Sequence, residues 1–339
     1  PSFVLDLTAT PKSSSNVLVY VDAAQLKREN MVKLPVIVYN RKTHSDVFLD
    51  AITIRDKLEV QAKTAQANGG RYIRPIVLFQ AQPRGKDENT TFLKLRSELI
   101  EMGIPKDWIA IKTAEMNELR SVDLLSETCP IRYIITVNAL KEGWDCPFAY
   151  VLATIANRTS SVDVEQILGR ILRLPYTAKN PINMLNISYV LTSSSDFRDT
   201  LQHVVAALNR AGFSSRDYHA EDLEDSIVRT PAAEQLQLQE PAQEDDLPEI
   251  DAARIRECLE SRTEMEQQAE SLLTPALEQA EQYEAAFSQM EEEFQFGPME
   301  VSGKMNVYRM EPEFEEEAKA LRLPQFFVDA PSSLFSSSE

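Results

Sequence analysis

The chain is poor in the residue types that build metal centres and disulfide frameworks. Its 339 residues include only three cysteines and three histidines, at Cys129, Cys146, Cys258, His44, His203 and His219. These positions are too scattered for a zinc motif, and an odd number of cysteines does not suit a disulfide framework. We therefore predict no metal site in this chain and a reducing, cytoplasmic setting.

Long apolar runs are also missing. The chain has no stretch of about 18 apolar residues, the length that a membrane-spanning helix requires, and no signal segment opens it. The sequence begins at Pro1, inside a segment with the pattern of a strand, rather than at a methionine. We therefore expect a fragment of a longer protein that has no contact with a membrane.

A phosphate-binding P-loop is absent as well. Gly85 and Lys86 match the end of the pattern G-x-x-x-x-G-K-[ST], but position 80 is Gln80 and the lysine is followed by Asp87. An ATPase needs that loop, together with an acidic box that holds Mg²⁺. We therefore predict that this chain alone does not hydrolyse ATP efficiently.

Acidic residues are abundant and unevenly distributed. Residues 1–220 carry 27 Lys+Arg and 23 Asp+Glu, a net charge of +4, whereas residues 221–339 carry 8 and 30, a net charge of −22. The first part could face a polyanion, and the second would repel one. A chain of this length has room for about two domains, and the asymmetry predicts two units with different roles.

Strand-like and helical segments alternate over the first 211 residues. The predicted strands are 3–7, 17–21, 35–39, 74–80, 108–111, 133–137, 149–155 and 185–191, and the predicted helices are 45–68, 89–102 and 196–211. Gly103 follows the second helix and suits its C-cap. This alternation predicts an α/β fold, with a parallel sheet covered by helices on both faces.

The last third of the chain has a different character. Residues 218–249 are acidic and lose periodicity, which predicts a linker or a loop. The segment 250–296 is rich in Glu, Gln, Ala and Leu and predicts a long helix or a helical pair, broken near Thr274 and Pro275. Charge runs of this kind usually form solvated helix faces, and the docking of a basic partner is the alternative.

The most informative segment contains the spacing Q-x-x-G-R-x-x-R, formed by Gln166, Gly169, Arg170 and Arg173. On a helix, the glutamine and the two arginines share one face, and apolar residues fill most of the rest. Arginines on a largely buried helix are costly unless they meet an anion, and a guanidinium suits phosphate oxygens. The alternative is a core helix whose arginines pair with surface carboxylates.

A polar turn precedes this helix. The strand 133–137 runs into Asn138–Pro147, which contains Gly143 and Asp145. Loops at the carboxyl ends of parallel strands are where open α/β sheets bind ligands. A strand, a loop with Gly and Asp, a second strand and an arginine helix together favour a nucleotide-phosphate site.

These segments resemble the motifs of superfamily 2 helicases. The stretch Ala139–Asp145 resembles motif V, Gln166–Arg173 resembles motif VI, and Thr8-Ala9-Thr10-Pro11 resembles motif III. The amino-acid sequence around motifs V and VI is similar in particular to that of the Res subunit of type III restriction enzymes and its DEAD/DEAH-box relatives. The resemblance covers roughly residues 1–200 of this sequence.

The resemblance implies a domain arrangement. Residues 1–16 would be the tail of a first RecA-like domain, 17–215 the second RecA-like helicase domain, 216–250 an acidic linker and 251–339 an acidic helical region. The missing first domain would hold ATP and Mg²⁺. The implied partners are DNA and a DNA methyltransferase subunit.

It also implies roles for single residues. Arg170 and Arg173 would be the catalytic arginines at the γ-phosphate, and the residues at the nucleotide would be Gln166, Gly169, Gly143 and Asp145. Thr8 and Thr10 would couple the state of the bound nucleotide to the binding of nucleic acid. Thr136 and Asn138 would contact the backbone phosphates of the nucleic acid. An inactive RecA-like scaffold that docks partners through its acidic helices is the alternative, and a remodeller with the same motor is a further one.

Type III restriction subunits also carry a nuclease, built on carboxylates and a lysine around a metal. In this chain, Glu317 and Lys319 match the end of that pattern, but the nearest upstream aspartate is Asp251. An acidic helix surface explains these residues better, and we expect any nuclease domain to lie beyond residue 339.

Overall fold

The computed structural model describes residues 23–81, 88–113, 116–136, 146–154, 171–193, 217–222 and 250–294. Within these ranges seven strands form one sheet: β1 (Val36–Asn40), β2 (Ile76–Gln80), β3 (Ile109–Lys112), β4 (Tyr133–Thr136), β5 (Ala149–Thr154), β6 (Ser188–Thr192) and β7 (Tyr218–Asp222). Their order is β3-β4-β2-β5-β6-β1-β7, and neighbouring strands pair in parallel. The predicted RecA-like α/β fold with a parallel sheet is thereby confirmed.

The described helices are α1 (Ala23–Arg28), α2 (His44–Ala67), α3 (Glu88–Glu101), α4 (Ala252–Glu260) and α5 (Arg262–Phe294), with short 3-10 turns at Lys106–Trp108, Pro175–Thr177 and Asn183–Asn186. Thr43 is the N-cap of helix α2, and its side-chain oxygen accepts a hydrogen bond from the Asp46 amide. Helix α3 is followed by Gly103 at φ +95°, in agreement with the predicted glycine cap. All described residues belong to one compact unit.

The strands are apolar because the sheet is buried on both faces. Strands β1, β2, β4, β5 and β6 are buried at every position, which is the pattern expected of parallel strands. On one face, Phe48 of α2 stacks on Phe79 of β2 with ring centroids 4.6 Å apart. Helix α2 therefore covers the middle of the sheet.

Helix α5 is held on the sheet domain by buried polar groups. The Tyr39 hydroxyl of β1 donates to the carbonyl of Leu272 at 2.5 Å. Asp50 of α2 accepts from Gln268 Nε2 at 2.5 Å and from Arg41 Nε at 2.5 Å. Burial raises the pKa of Asp50 to about 6, against the opposing effect of the Arg41 charge. These contacts fix one position and rotation of the helix.

The far end of α5 carries a second set of polar contacts. Tyr283 donates to Asp217 Oδ1 at 2.8 Å. The Glu284 carboxylate bridges two lysines, Lys27 of α1 at 2.5 Å and Lys179 at 2.6 Å. Burial alone would raise the pKa of Glu284, but the hydrogen bonds from the two lysines lower it overall. The acidic helix thus uses one of its carboxylates to tie separate parts of the chain together.

The predicted break near Thr274 and Pro275 is wrong. Helix α5 runs through Pro275, and the interruption lies at Ser261, between α4 and α5. An interior proline costs about 3 kcal/mol. Leu272 and Ala276 are 0% and 1% exposed on either side of it, so burial of the helix against the sheet domain offsets that cost.

Two strand boundaries also differ from expectation. Residues 218–222, placed at the start of the acidic linker, form β7 and pair with β1. Their polar composition suits an edge strand, whose outer side meets solvent, and it obscured the strand pattern. The strand predicted from residue 185 begins at Ser188, because Asn186 exchanges side-chain hydrogen bonds with the Asn180 backbone and holds a turn there.

The predicted strands 3–7 and 17–21 and the predicted helix 196–211 lie outside the described residues. The domain boundaries at residues 16, 215 and 250 stay predictions.

We predict that Glu284→Gln lowers the free energy of unfolding by about 1 kcal/mol at pH 7, because it removes the charge that bridges two lysines. The folded pKa of Glu284 lies below its ordinary value of 4.5, so its contribution is present above pH 4.5 and is lost as the pH falls through the folded pKa. Urea denaturation at pH 7 and below pH 4 measures this difference.

Glu281→Gln is the matched control, since Glu281 is exposed on the same helix. A loss of stability that is equal for both variants, or that does not shrink in acid, would contradict the bridging role.

Candidate nucleotide and nucleic-acid interface

Each of the seven described strands ends in a polar residue, and the register aligns these residues in one row. In order across the sheet, this polar row consists of Lys112, Thr136, Gln80, Thr154, Thr192, Asn40 and Asp222. Each member is the register partner of its neighbour, so the row follows the carboxyl edge of the sheet. Open parallel sheets bind their ligands at this edge.

The polar row lies on the face away from α2. Phe79, which precedes Gln80 in β2, stacks on Phe48 of α2. Successive side chains of a strand point to opposite faces, so Gln80 points away from that helix. Its register partners Thr136 and Thr154 share this second face.

The centre of the polar row contains buried oxygens that have no hydrogen-bond partner among the described residues. These atoms are Gln80 Oε1, Thr136 Oγ1 and Thr154 Oγ1, and Ser193 Oγ, directly after β6, is a fourth. An unpaired buried polar group costs about 1–3 kcal/mol. Four such atoms lie along this one edge, which makes it a candidate site for polar partners.

Thr136, one of the two predicted phosphate contacts, lies in this row. Its position at the carboxyl end of β4 agrees with the expectation, but the residue is 0% exposed. A phosphate therefore reaches the hydroxyl only when the atoms that cover it move aside. Asn138, the second predicted contact, lies outside the described residues.

The structure describes the end of the arginine segment. Ile171, Leu172 and Leu174 are 0%, 2% and 5% exposed, whereas Arg173 between them is exposed. Arg173 forms an antiparallel bridge with Val32. The prediction that Arg173 lies on a helix face is therefore wrong, because the helical conformation ends at Ile171 and this backbone pairing takes over. Buried residues on both sides fix the backbone, so the guanidinium extends from a rigid support.

A short backbone pairing provides this support. The Lys33 amide donates to the Leu172 carbonyl at 2.6 Å, and the Leu174 amide donates to the Met31 carbonyl at 2.9 Å. The Ser188 hydroxyl lies within 3.3 Å of the Lys33 carbonyl and 3.4 Å of the Ile171 carbonyl. The end of the arginine segment is thereby joined to the chain before β1 and to the start of β6.

The remaining predicted site residues fall outside the described residues. They are Arg170, Gln166 and Gly169 of the predicted arginine helix, Gly143 and Asp145 of the predicted polar turn, and Thr8 and Thr10 near the amino terminus. Their roles stay predictions, and Arg173 and Thr136 are the two predicted site residues whose positions the structure gives.

Cys146, at the exit of the polar turn, is not a nucleophile. It is 0% exposed, and burial raises the pKa of its thiol to about 12, although Lys33 and nearby amides oppose the shift. The reactive form of cysteine is the thiolate, which this environment excludes at neutral pH. Cys146 is a core residue between the polar turn and β5.

Sequence reasoning missed three residues at this site. Gln80 and Thr154 belong to the polar row, and the signal that would have found them is a polar residue at the end of each apolar strand. Lys33 left no such signal, because a single lysine before a strand is unremarkable until its partners are known. Its contacts come from residues more than 100 positions away.

The part of the chain that the structure describes contains no cluster of three or more His, Cys, Asp or Glu arranged to hold a metal ion. In the same part, no helix combines the length and the apolar character needed to cross a membrane.

No family model and no curated protein matches the chain. Among solved structures, it is similar to the DNA-bound Type ISP restriction-modification enzyme LlaBIII, with 16% identity, a TM-score of 0.36, and coverage of 65% of this chain and 19% of the other. It is also similar to domain 2 of the DEAD-box helicase Mss116p bound to an RNA duplex, with 15% identity, a TM-score of 0.36, and coverage of 57% and 66%.

A third similar structure is a fragment of a putative HsdR subunit of a type I restriction enzyme from Vibrio vulnificus YJ016, with 18% identity, a TM-score of 0.33, and coverage of 59% and 38%. The chain thus spans less than two thirds of the length of each of these three proteins. At these identities and TM-scores the similarity does not bear on activity or ligands.

We predict that Thr136→Val leaves the free energy of unfolding unchanged or raises it by up to about 1–3 kcal/mol, because the replaced hydroxyl is buried with no partner among the described residues and valine has nearly the same shape. Urea denaturation of the chain measures this change. A loss of more than about 2 kcal/mol would mean that the fold itself satisfies the hydroxyl.

Proposed function

We propose that this chain is the second motor domain of an ATP-driven superfamily 2 helicase or translocase that acts on DNA within a type III restriction system. In this proposal it supplies arginines to a nucleotide and a surface to the nucleic acid. The single observation that carries it is the arginine segment, which combines the spacing Q-x-x-G-R-x-x-R with an exposed Arg173 on a buried support.

The chemistry of Arg173 fits the γ-phosphate of ATP. Its guanidinium offers several N–H donors in one plane, which match the oxygens of a phosphate. Such an arginine stabilises the charge that develops during phosphoryl transfer, a contribution of about 10³–10⁵ in rate. Arg170, three residues earlier in the sequence, is the second proposed arginine, and Gln166 and Gly169 are proposed to line the same cleft with Gly143 and Asp145.

The proposed cofactors are ATP and Mg²⁺. This chain contributes the arginine side of the nucleotide cleft, and the P-loop and the acidic box that hold the phosphates and the metal belong to a first RecA-like domain. Thr8 and Thr10 are proposed to couple the two domains. The proposed protein partners are that first domain and a DNA methyltransferase subunit, in the cytoplasm.

The polar row supports the proposed nucleic-acid contact. It lies at the ligand-binding edge of the sheet and contains buried oxygens that lack partners among the described residues. The predicted polar turn begins at Asn138, two residues after Thr136. We propose that these hydroxyl and amide groups pair in the nucleic-acid-bound state, either with a backbone phosphate or with the loops that touch it.

We predict that Arg173→Ala, in the longer protein that contains both motor domains, lowers nucleic-acid-stimulated ATP hydrolysis by about 10³-fold. The substitution keeps the Arg173 carbonyl, which makes the contact to Lys33, so the fold is expected to persist. Steady-state phosphate release with saturating DNA measures the rate, and urea denaturation checks the fold.

Arg262→Ala is the matched control, because Arg262 is an arginine of α5 that is 91% exposed and pairs only at the surface with Glu266. Near-normal turnover of Arg173→Ala would remove the arginine from catalysis. Absence of ATP hydrolysis from the unmodified longer protein would instead favour an inactive scaffold that docks partners through its acidic helices.

We predict that Thr136→Val weakens binding of DNA to the longer protein by about tenfold, since a hydrogen bond to a charged group contributes about 1.5–3 kcal/mol. Fluorescence anisotropy with labelled DNA and RNA of the same length measures the affinity and the preference. Thr53→Val is the control, because Thr53 is a buried threonine of α2 on the opposite face. Unchanged affinity would remove Thr136 from the interface and leave the arginine assignment intact.

A further inference from the structure

Lys33 lies in the connection between α1 and β1, outside every segment that sequence reasoning singled out. Its side chain is 0% exposed. Burying an ammonium group costs free energy unless its N–H groups donate hydrogen bonds, and the lysine ammonium has three such donors. The partners of this buried group therefore show why a lysine stands here.

Three backbone carbonyls among the described residues accept hydrogen bonds from the ammonium group. Lys33 Nζ donates to Pro147 at 3.0 Å, to Ala149 at 2.7 Å and to Arg173 at 2.9 Å. The nitrogen also lies 4.1 Å from the ring centroid of Tyr150, close enough for a cation–π contact. One side chain thus joins parts of the chain that are 114 to 140 residues away in sequence.

These carbonyls border the two segments with proposed roles at the nucleotide. Pro147 and Ala149 flank the exit of the polar turn that contains Gly143 and Asp145, and Arg173 closes the arginine segment. A change in the distance between Pro147 and Arg173 stretches at least one of the Lys33 hydrogen bonds. Lys33 therefore couples the positions of the two segments through their backbones.

We propose that Lys33 is the positioning residue that holds the polar turn and the arginine segment in register for catalysis. This inference rests on the proposed function of the arginines. Lys33 itself touches neither nucleotide nor nucleic acid in this proposal and acts through the backbone of Arg173. Displacement of a catalytic group by about 1 Å can cost on the order of 100-fold in rate.

The chain offers a matched control in Arg74. This arginine is 1% exposed and also donates to three backbone carbonyls, those of Ile131, Ser126 and Leu124, at 2.9, 2.8 and 2.6 Å. These carbonyls belong to the connection between β3 and β4, apart from the arginine segment. Arg74→Met and Lys33→Met each remove a buried cation from three carbonyls, and both are expected to lose stability.

The test compares kcat and KM for ATP in the longer protein with both motor domains. Lys33→Met is expected to lower kcat by about 10- to 100-fold and to change KM by less than about threefold, because binding of ATP depends on the first domain. Arg74→Met, at a temperature where both variants are folded, is expected to keep kcat within about threefold. Equal losses of kcat in the two variants would overturn the positioning role.

A second variant, Lys33→Arg, tests the positioning role if Lys33→Met does not fold. Lys33→Arg keeps the charge but spreads its donors in a plane, so it cannot reproduce the three convergent bonds. It is expected to fold and to lower kcat in the same way as Lys33→Met. A kcat equal to that of the unmodified protein would contradict the inference.

ATP hydrolysis by the unmodified longer protein distinguishes failure of the proposed function from failure of the positioning role of Lys33. If that protein does not hydrolyse ATP, or if Arg173→Ala leaves hydrolysis intact, the proposed function fails. Hydrogen–deuterium exchange of the present chain then decides the coupling of the two segments. Faster exchange in both 137–149 and 166–174 in Lys33→Met, and not in Arg74→Met, supports it, whereas equal exchange overturns it.

Discussion

The parallel direction of all the described strands is the constraint on which the candidate site depends. Because the strands run the same way and pair in register, their seven polar ends meet in one row at one edge. An antiparallel sheet of the same segments would divide these residues between two edges. The apolar strands are buried on both faces. The polar residues at their carboxyl ends therefore mark the border between the hydrophobic core and the edge at which parallel sheets bind ligands.

The two faces of the sheet are stabilised in different ways. On the face of α2, aromatic stacking and the polar anchors of α5 hold an acidic helix against the core, and the Glu284 carboxylate bridges Lys27 and Lys179. At the arginine segment, one buried lysine bonds three backbone carbonyls. In both places a buried or partly buried charged group is hydrogen-bonded to more than one partner, which favours one arrangement of the chain over others.

Most of the fold was predictable because its signals are local. Apolar runs of strand length, helical periodicity and Gly103 after α3 placed β1 to β6 and α2 to α3 to within a few residues. The failures are those where packing overrode a local signal. Pro275 lies inside α5 because buried neighbours offset its cost, and β7 was hidden by an acidic composition that an edge strand tolerates.

The sequence by itself determined the parallel α/β architecture, the position of Thr136 at a strand end and the arginine spacing, because periodicity and spacing along the chain encode them. Only the tertiary structure decided that Gln80 and Thr154 join Thr136 in one row, that α5 packs on the sheet domain, and that Lys33 meets Pro147, Ala149 and Arg173. These features depend on contacts between residues far apart in the chain. Such contacts exist only once register and packing bring the residues together, so no local pattern records them.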